Sequence, residues 1–100
     1  MTQIPDPQDC TNMAEVRIGV DEVDRQLVAL LARRFGYMDA AARIKPERGA
    51  VRDEDRKAQV IANARAYARE AGIPDDVIGD IWETLVEGSI AYEFVAFDAR

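Results

Sequence analysis

The feature that most constrains this chain is a long apolar stripe that no proline interrupts. Methionine, valine and leucine recur in alternating steps of three and four residues at Met13, Val16, Val20, Val23, Leu27 and Leu30. This spacing is typical of a helix that packs in a bundle or coiled coil. Asn12 and Glu15 resemble a capping box at its start, and the next proline is Pro46. The pattern therefore predicts one helix of about thirty residues, about 50 Å long.

A helix of that length is too long for a compact domain of this size. The chain has 100 residues, and an ordinary domain of that length has a radius of gyration of about 13 Å. We expect one domain over 1–100, with 1–11 as an N-terminal arm. We therefore predict a homodimer, in which a second copy hides the apolar stripe.

Two further helices are predicted after a short loop. The segment KPERGAVR, at 45–52, contains a proline and a glycine typical of a loop, and Asp53 can cap a second helix that runs to Ala71. Gly72 fits the left-handed position that ends a helix, and Pro74 with the aspartates after it begins a third. Since no strand pattern occurs, the sequence predicts an all-α fold with three helices per chain.

The composition excludes several classes of function. The net charge of −6 argues against a nucleic acid or an anionic membrane as partner, because both need a basic face. There is no histidine, and the single cysteine, Cys10, allows no internal disulfide, so we expect no metal, no cofactor and an inert Cys10. No apolar run reaches membrane-spanning length and no signal-peptide pattern occurs, so we expect a cytoplasmic location.

Two cations interrupt the stripe of the first helix. Arg34 takes the step of four after Leu30, and Lys45 lies 11 residues further on. On an ideal helix the two are within about 20° of one face and roughly 16 Å apart. Because a buried cation needs an anionic partner, two such side chains can close on a small dianion. Pairing with a protein carboxylate, or reaching out to water, would equally explain each of them.

The third helix carries polar residues on its apolar stripe as well. The stripe continues from Leu85 to Ser89 and Glu93, which are neighbours at i and i+4 on one face. A hydroxyl and a carboxyl therefore take positions where apolar groups are expected. The alternatives are that Ser89 is a packing accommodation and that Glu93 forms a salt bridge with Arg34.

Two more arginines are candidates for ligand binding. Arg17 lies 17 residues before Arg34, about 25 Å away on another side of an ideal helix. Both can serve one ligand only if Arg17 comes from a second copy, and alone it is typical of a solvated flank. Arg56 begins the second helix, where it either serves a ligand or pairs with Asp53 or Asp55.

These residues, at these spacings, resemble the all-helical chorismate mutase family, and within it the isochorismate-pyruvate lyase branch. The resemblance runs from about residue 9 to 97 and rests on EVRIGVDEVDRQLVALLARRFGYMDAAARIK, where an arginine, an L-L-x-R-R segment and a lysine recur at intervals of 17 and 11 residues. The DCTNM lead-in and the short 45–56 connection are more similar to the lyase branch. The VRDEDR segment, with Ser89 and a polar residue at position 93, is more similar to the mutases.

The resemblance implies an intertwined helical homodimer that binds a small dicarboxylate, chorismate or isochorismate. It implies that Arg34, together with Arg17 from the partner protomer, grips the two carboxylates. Lys45 would donate to the ether oxygen and to a carboxylate. Ser89 would line the pocket, and Glu93 would take the place where many relatives carry glutamine.

The resemblance also assigns residues to the other end of the ligand. Arg56 would lie near a carboxylate, and the Asp53 region would address the ring hydroxyl. Two residues depart from the family pattern: Lys57 stands where typical mutases have a glutamate that binds this hydroxyl, and Glu93 replaces the amide. An ionised Glu93 would repel the ether oxygen, whereas a protonated one would donate to it.

Three functions are hypotheses at this point. The first is a chorismate mutase, whose Claisen rearrangement to prephenate needs no base, nucleophile or metal, only cations that hold the reactive conformer and stabilise the ether oxygen. The second is an isochorismate-pyruvate lyase that produces salicylate and pyruvate. The third is a non-catalytic, metabolite-binding helical dimer whose charges on the apolar stripes form internal salt bridges.

Overall fold

The computed structural model describes residues 4–100, and every regular element in this range is helical. The three helices are α1 (Met13–Ile44), α2 (Glu54–Ala71) and α3 (Asp75–Asp98). Short 3-10 turns at Pro7–Asp9 and Arg48–Ala50 precede α1 and connect it to α2. Over the described range there is no strand, so the predicted all-α fold with three helices is confirmed.

Local side-chain contacts explain where α1 and α2 begin. The Asn12 side-chain oxygen accepts from the Glu15 backbone N–H at 2.9 Å, and the Asn12 amide donates back to the Glu15 carboxylate at 2.8 Å. At the start of α2, the Asp53 carboxylate accepts from the Arg56 backbone N–H at 3.0 Å. The bonds to the Glu15 and Arg56 N–H groups each satisfy a backbone donor that the first helical turn leaves without a partner. Both predicted caps are therefore present.

The boundary between α2 and α3 depends on glycine and proline. Gly72 adopts a φ of 74°, in the left-handed region, and its N–H donates to the carbonyls that end α2. This conformation carries little steric cost only in a residue without a Cβ. Pro74 is the N-cap of α3, one position before the first turn, which carries Asp75 and Asp76.

By its internal contacts the chain forms two compact units, the first ending at Phe35 and the second being Gly36–Arg100. In the second unit, α2 and α3 pack against each other through small residues. Its buried apolar residues are Ala42, Val51, Ala64, Ala68 and Val86. The single-domain organisation expected from the sequence stays a prediction.

The apolar stripe of α1 is exposed in the single chain. Its six members are between 37% and 62% exposed: Met13, Val16, Val20, Val23, Leu27 and Leu30. Contiguous apolar surface of this kind marks sites of protein contact. Among the described residues, no helix is long and apolar enough to cross a membrane.

Candidate functional site

An ion pair between Lys45 and Glu93 lies at the centre of the candidate site. Lys45 directly follows α1, and its Nζ donates to Glu93 Oε2 at 2.7 Å and to the Val51 carbonyl at 3.4 Å. Glu93 is on the buried face of α3 and is only 4% exposed. The sequence alternative in which Lys45 pairs with a protein carboxylate is thus the arrangement in this structure.

This geometry gives Lys45 a defined chemical capacity. A carboxylate that is withdrawn from water needs a cation, and Lys45 supplies it. The ammonium group has three N–H donors, two of which are directed at Glu93 and Val51. The Lys45 side chain keeps 30% of its surface exposed, so its third donor can serve a ligand that arrives from the solvent side.

Ser89 lies one turn before Glu93 on the same buried face. It is 3% exposed, and its hydroxyl donates to the Leu85 carbonyl at 2.7 Å. A bond from a serine hydroxyl to the carbonyl four residues earlier satisfies a polar group within its own helix. This contact agrees with the packing alternative for Ser89, and a place in a ligand pocket stays a prediction.

The start of α2 holds two further candidates, both exposed. The Asp53 carboxylate is engaged as the helix cap, as described above. The Arg56 guanidinium donates to the Gln59 side chain at 2.6 Å. The side-chain partner of Arg56 is therefore Gln59, where the sequence suggested Asp53 or Asp55. Roles of Asp53 and Arg56 in binding remain predictions.

Lys57, one of the two departures from the family pattern, lies in a cluster of charges between α2 and α3. Its Nζ is 2.7 Å from Glu83 and 2.8 Å from Glu87, and its side chain is 17% exposed. Arg52 binds Glu87 through both of its terminal nitrogens and also contacts Glu54. Arg52 and, secondly, Lys57 lower the pKa of Glu87 to about 2. Glu83, followed by Glu87, raises the pKa of Lys57. The lysine is thus neutralised by two carboxylates of α3.

The two remaining candidates belong to the first compact unit. Arg17 is exposed on α1, so it is accessible both to a second copy of the chain and to solvent. Arg34 is half-buried and makes a contact of its own. The structure therefore brings Lys45, Ser89 and Glu93 together in the second unit, and the roles of Arg17 and Arg34 stay predictions.

One other concave feature of the described residues is unsuited to a dianion. This open depression, of about 340 Å³ in the first unit, is lined by apolar residues and by the acidic residues Asp6, Asp9 and Glu15. Its charge has the wrong sign for a dicarboxylate. Within residues 4–100 no three or more of His, Cys, Asp and Glu are grouped to hold a metal ion.

Sequence reasoning missed the contacts between the end of α3 and the loop after Lys45. Arg48 binds Asp98, and Arg100 binds backbone carbonyls around Lys45. These partners are 50 or more residues apart in the chain, so no local spacing indicates them. The only signal was the charged loop itself, next to Lys45.

Comparison with known proteins identifies what this chain is similar to. A family model described as chorismate mutase type II matches residues 16–94. The chain is also 29% identical over 85 residues to the isochorismate pyruvate lyase of Pseudomonas aeruginosa, an alignment that covers 85% of this chain and 84% of that protein. Every candidate from Arg17 to Glu93 lies inside the range that the family model matches.

Proposed function

This chain belongs to the chorismate mutase type II family, and on that premise we propose that it is an enzyme that rearranges chorismate to prephenate. The observation that carries the proposal is Lys45 Nζ, 2.7 Å from a carboxylate that is itself buried on α3. That contact orients an ammonium group at the edge of a partly buried site. Such a group is the donor that this reaction needs.

The chemistry requires little beyond positioning and charge. The ether C–O bond breaks while a C–C bond forms within the same molecule, so no proton is exchanged and no nucleophile attacks. Negative charge grows on the ether oxygen in the transition state. A preorganised donor such as Lys45 stabilises that charge, and removing one donor of this kind typically costs about 3 kcal/mol of barrier, roughly a hundredfold in rate.

The ion pair divides the work between Lys45 and Glu93. A carboxylate that accepts from an ammonium group is an acceptor only, so in this arrangement Lys45 is the donor to the ether oxygen. Glu93 holds the ammonium group in place. This assignment avoids the repulsion expected between an ionised Glu93 and the ether oxygen, because the ammonium group and not the carboxylate would face that oxygen.

The proposal also assigns the other residues that the resemblance implies. Arg34, with Arg17 from a second copy, binds the two carboxylates of the substrate, and Ser89 lines the pocket. Asp53 and Arg56 serve the far end of the ligand. The homodimer is supported by the exposed apolar stripe of α1. We place the enzyme in the cytoplasm, since the chain carries one cysteine.

A second candidate function is an isochorismate pyruvate lyase. It is supported by the 29% identity to the Pseudomonas aeruginosa protein and by Lys57, where typical mutases bind the ring hydroxyl through a glutamate. In that reaction a hydrogen passes within isochorismate to the departing enolpyruvyl group as the ether C–O bond breaks. Salicylate and pyruvate result, and Lys45 stabilises the same oxygen.

A side-by-side assay of the purified protein with chorismate and with isochorismate tests both candidates. We expect prephenate as the main product, and a loss of about a hundredfold in kcat/KM for Lys45→Ala. Arg69→Ala is the matched control, because it removes an exposed, ion-paired arginine of α2 and should keep full activity. Salicylate as the main product would favour the second candidate. If neither product forms, the non-catalytic dimer is the remaining hypothesis.

A further inference from the structure

The backbone around Lys45 is held by a guanidinium from the far end of the chain. Arg100 Nη1 donates to the carbonyls of Ala42 at 3.1 Å and Lys45 at 2.5 Å, and its Nη2 donates to the Pro46 carbonyl at 3.2 Å. The last carbonyls of a helix lack partners within it, and a cation near them complements the helix dipole. One side chain thus satisfies carbonyls on both sides of the point where α1 ends.

The position of Arg100 is itself constrained by an aromatic ring. Its guanidinium carbon lies 3.7 Å from the centre of the Phe97 ring. A planar guanidinium stacks on a ring face while its edge donates hydrogen bonds, which an ammonium group cannot do in the same geometry. The three carbonyl contacts therefore depend on the shape of arginine as well as on its charge.

A second contact, between Arg48 and Asp98, connects the loop after Lys45 to the end of α3. Arg48, in the loop, makes two parallel bonds to Asp98 at 2.9 and 3.2 Å, and its guanidinium lies 4.4 Å from the centre of the Phe94 ring. Arg48 lowers the pKa of Asp98. Both partners are more than half exposed, and exposed ion pairs contribute little to stability. The contact is better suited to fixing the loop than to holding the fold together.

These contacts connect Lys45 to α3 and to Arg100, which follows the end of α3 by two positions. The side chain of Lys45 binds Glu93, and its carbonyl binds Arg100. The backbone of Lys45 and its ammonium group are therefore both held by residues of the segment from Glu93 to Arg100. A donor that must meet a developing charge benefits from this, because misplacement by about 1 Å can cost as much as a hundredfold in rate.

We propose that Arg100 is a positioning residue for Lys45, which holds the backbone from which the ammonium group reaches the ether oxygen. This inference rests on the proposed function, since it concerns the same donor. Arg100 does not contact the reacting atoms in this assignment. It acts through the carbonyls of Lys45 and its neighbours, and Phe97 keeps it in place.

The test compares Arg100→Ala, Arg100→Lys and the control Arg69→Ala in the full chain. We expect Arg100→Ala to lower kcat about tenfold and to change KM by less than about twofold. The reason is that a misaligned Lys45 stabilises the ether oxygen less in the transition state, while it contributes little to binding of the substrate. Arg100→Lys keeps the positive charge but lacks the planar guanidinium, so its kcat should lie between those of Arg100→Ala and the wild type. Arg69→Ala should match the wild type.

Hydrogen exchange of the peptide that covers 44–53 provides a readout independent of activity. The amides of Ala50 and Val51 bond within the loop, to Glu47 and Arg48, and we expect them to exchange several-fold faster in Arg100→Ala but not in the control Arg69→Ala. The proposal is overturned if kcat is unchanged, or if kcat falls only in proportion to the unfolded fraction. If the wild type forms neither product, the proposed function fails, and unchanged exchange at 44–53 would then also overturn the positioning of Lys45.

Discussion

Arg65 crosses α3 at Gly79, and its side chain occupies the space that a Cβ at Gly79 would need. A Cβ built there would lie 2.6 Å from Arg65 Nη1 and 3.2 Å from its Cδ. The glycine is buried, and Arg65 reaches past it to Asp75 at 3.4 Å. The absence of a side chain at Gly79 is therefore what lets this α2 arginine lie against α3.

The first prediction is that the effect of Gly79→Ala depends on Arg65. In an Arg65→Ala background, alanine at position 79 should raise the free energy of unfolding by about 1 kcal/mol, the usual advantage of alanine inside a helix. With Arg65 present, the gain should vanish or reverse, because the arginine must leave its place. A double-mutant cycle by urea unfolding measures the coupling, expected at about 1 kcal/mol. Equal gains in both backgrounds would refute it.

The second prediction concerns the free energy of unfolding at acid pH. Arg52 and Lys57 lower the pKa of Glu87 from 4.5 to about 2. A group whose pKa is lower in the folded chain than in the unfolded chain stabilises the fold above the unfolded pKa, and the contribution disappears as pH falls through the folded pKa. We therefore expect the wild type to lose stability between about pH 4.5 and about pH 2 more steeply than Glu87→Gln.

Urea unfolding at several pH values in that window measures this difference. Glu70→Gln is a suitable control, because it removes an exposed carboxylate of the same helix pair. The control should follow the wild type. If Glu87→Gln and the wild type show the same dependence on pH, the ion pairs with Arg52 and Lys57 do not contribute in solution.

The third prediction is that the chain is a dimer in solution. Light scattering at micromolar concentration should give about twice the chain mass of 11.2 kDa. Leu27→Glu introduces a charge in the exposed stripe and should lower the mass to that of one chain, because a charge without a partner is costly at an apolar interface. A monomeric wild type would contradict both the dimer and the role of Arg17.

Ala29→Glu serves as the matched control for that experiment. It adds the same charge two residues later, about 200° around the helix from Leu27. The control should stay dimeric. If both variants dissociate, or neither does, the interface does not follow the stripe that begins at Met13.

The helices could be predicted from the sequence because their determinants are local. The stripe of α1 repeats every three or four residues, and the Asn12–Glu15 and Asp53–Arg56 caps act within one turn. Gly72 ends α2 through its own backbone conformation. Each of these signals can be read within a few neighbouring residues, which is why the all-α fold and the helix bounds agree with the structure to within a residue or two.

The partners of the charged side chains were decided only by the tertiary structure. Spacing on α1 and α3 identified Lys45 and Glu93 as polar residues on apolar stripes, but their contact joins positions 48 apart. Lys57 could be identified as a departure from the family pattern, but its two partners on α3 could not be identified from the sequence. An ion pair depends on how helices approach and rotate, and periodicity within one helix does not encode this. The sequence by itself therefore determined the helices and the candidate residues, and the packing of α2, α3 and the loop decided which charges meet.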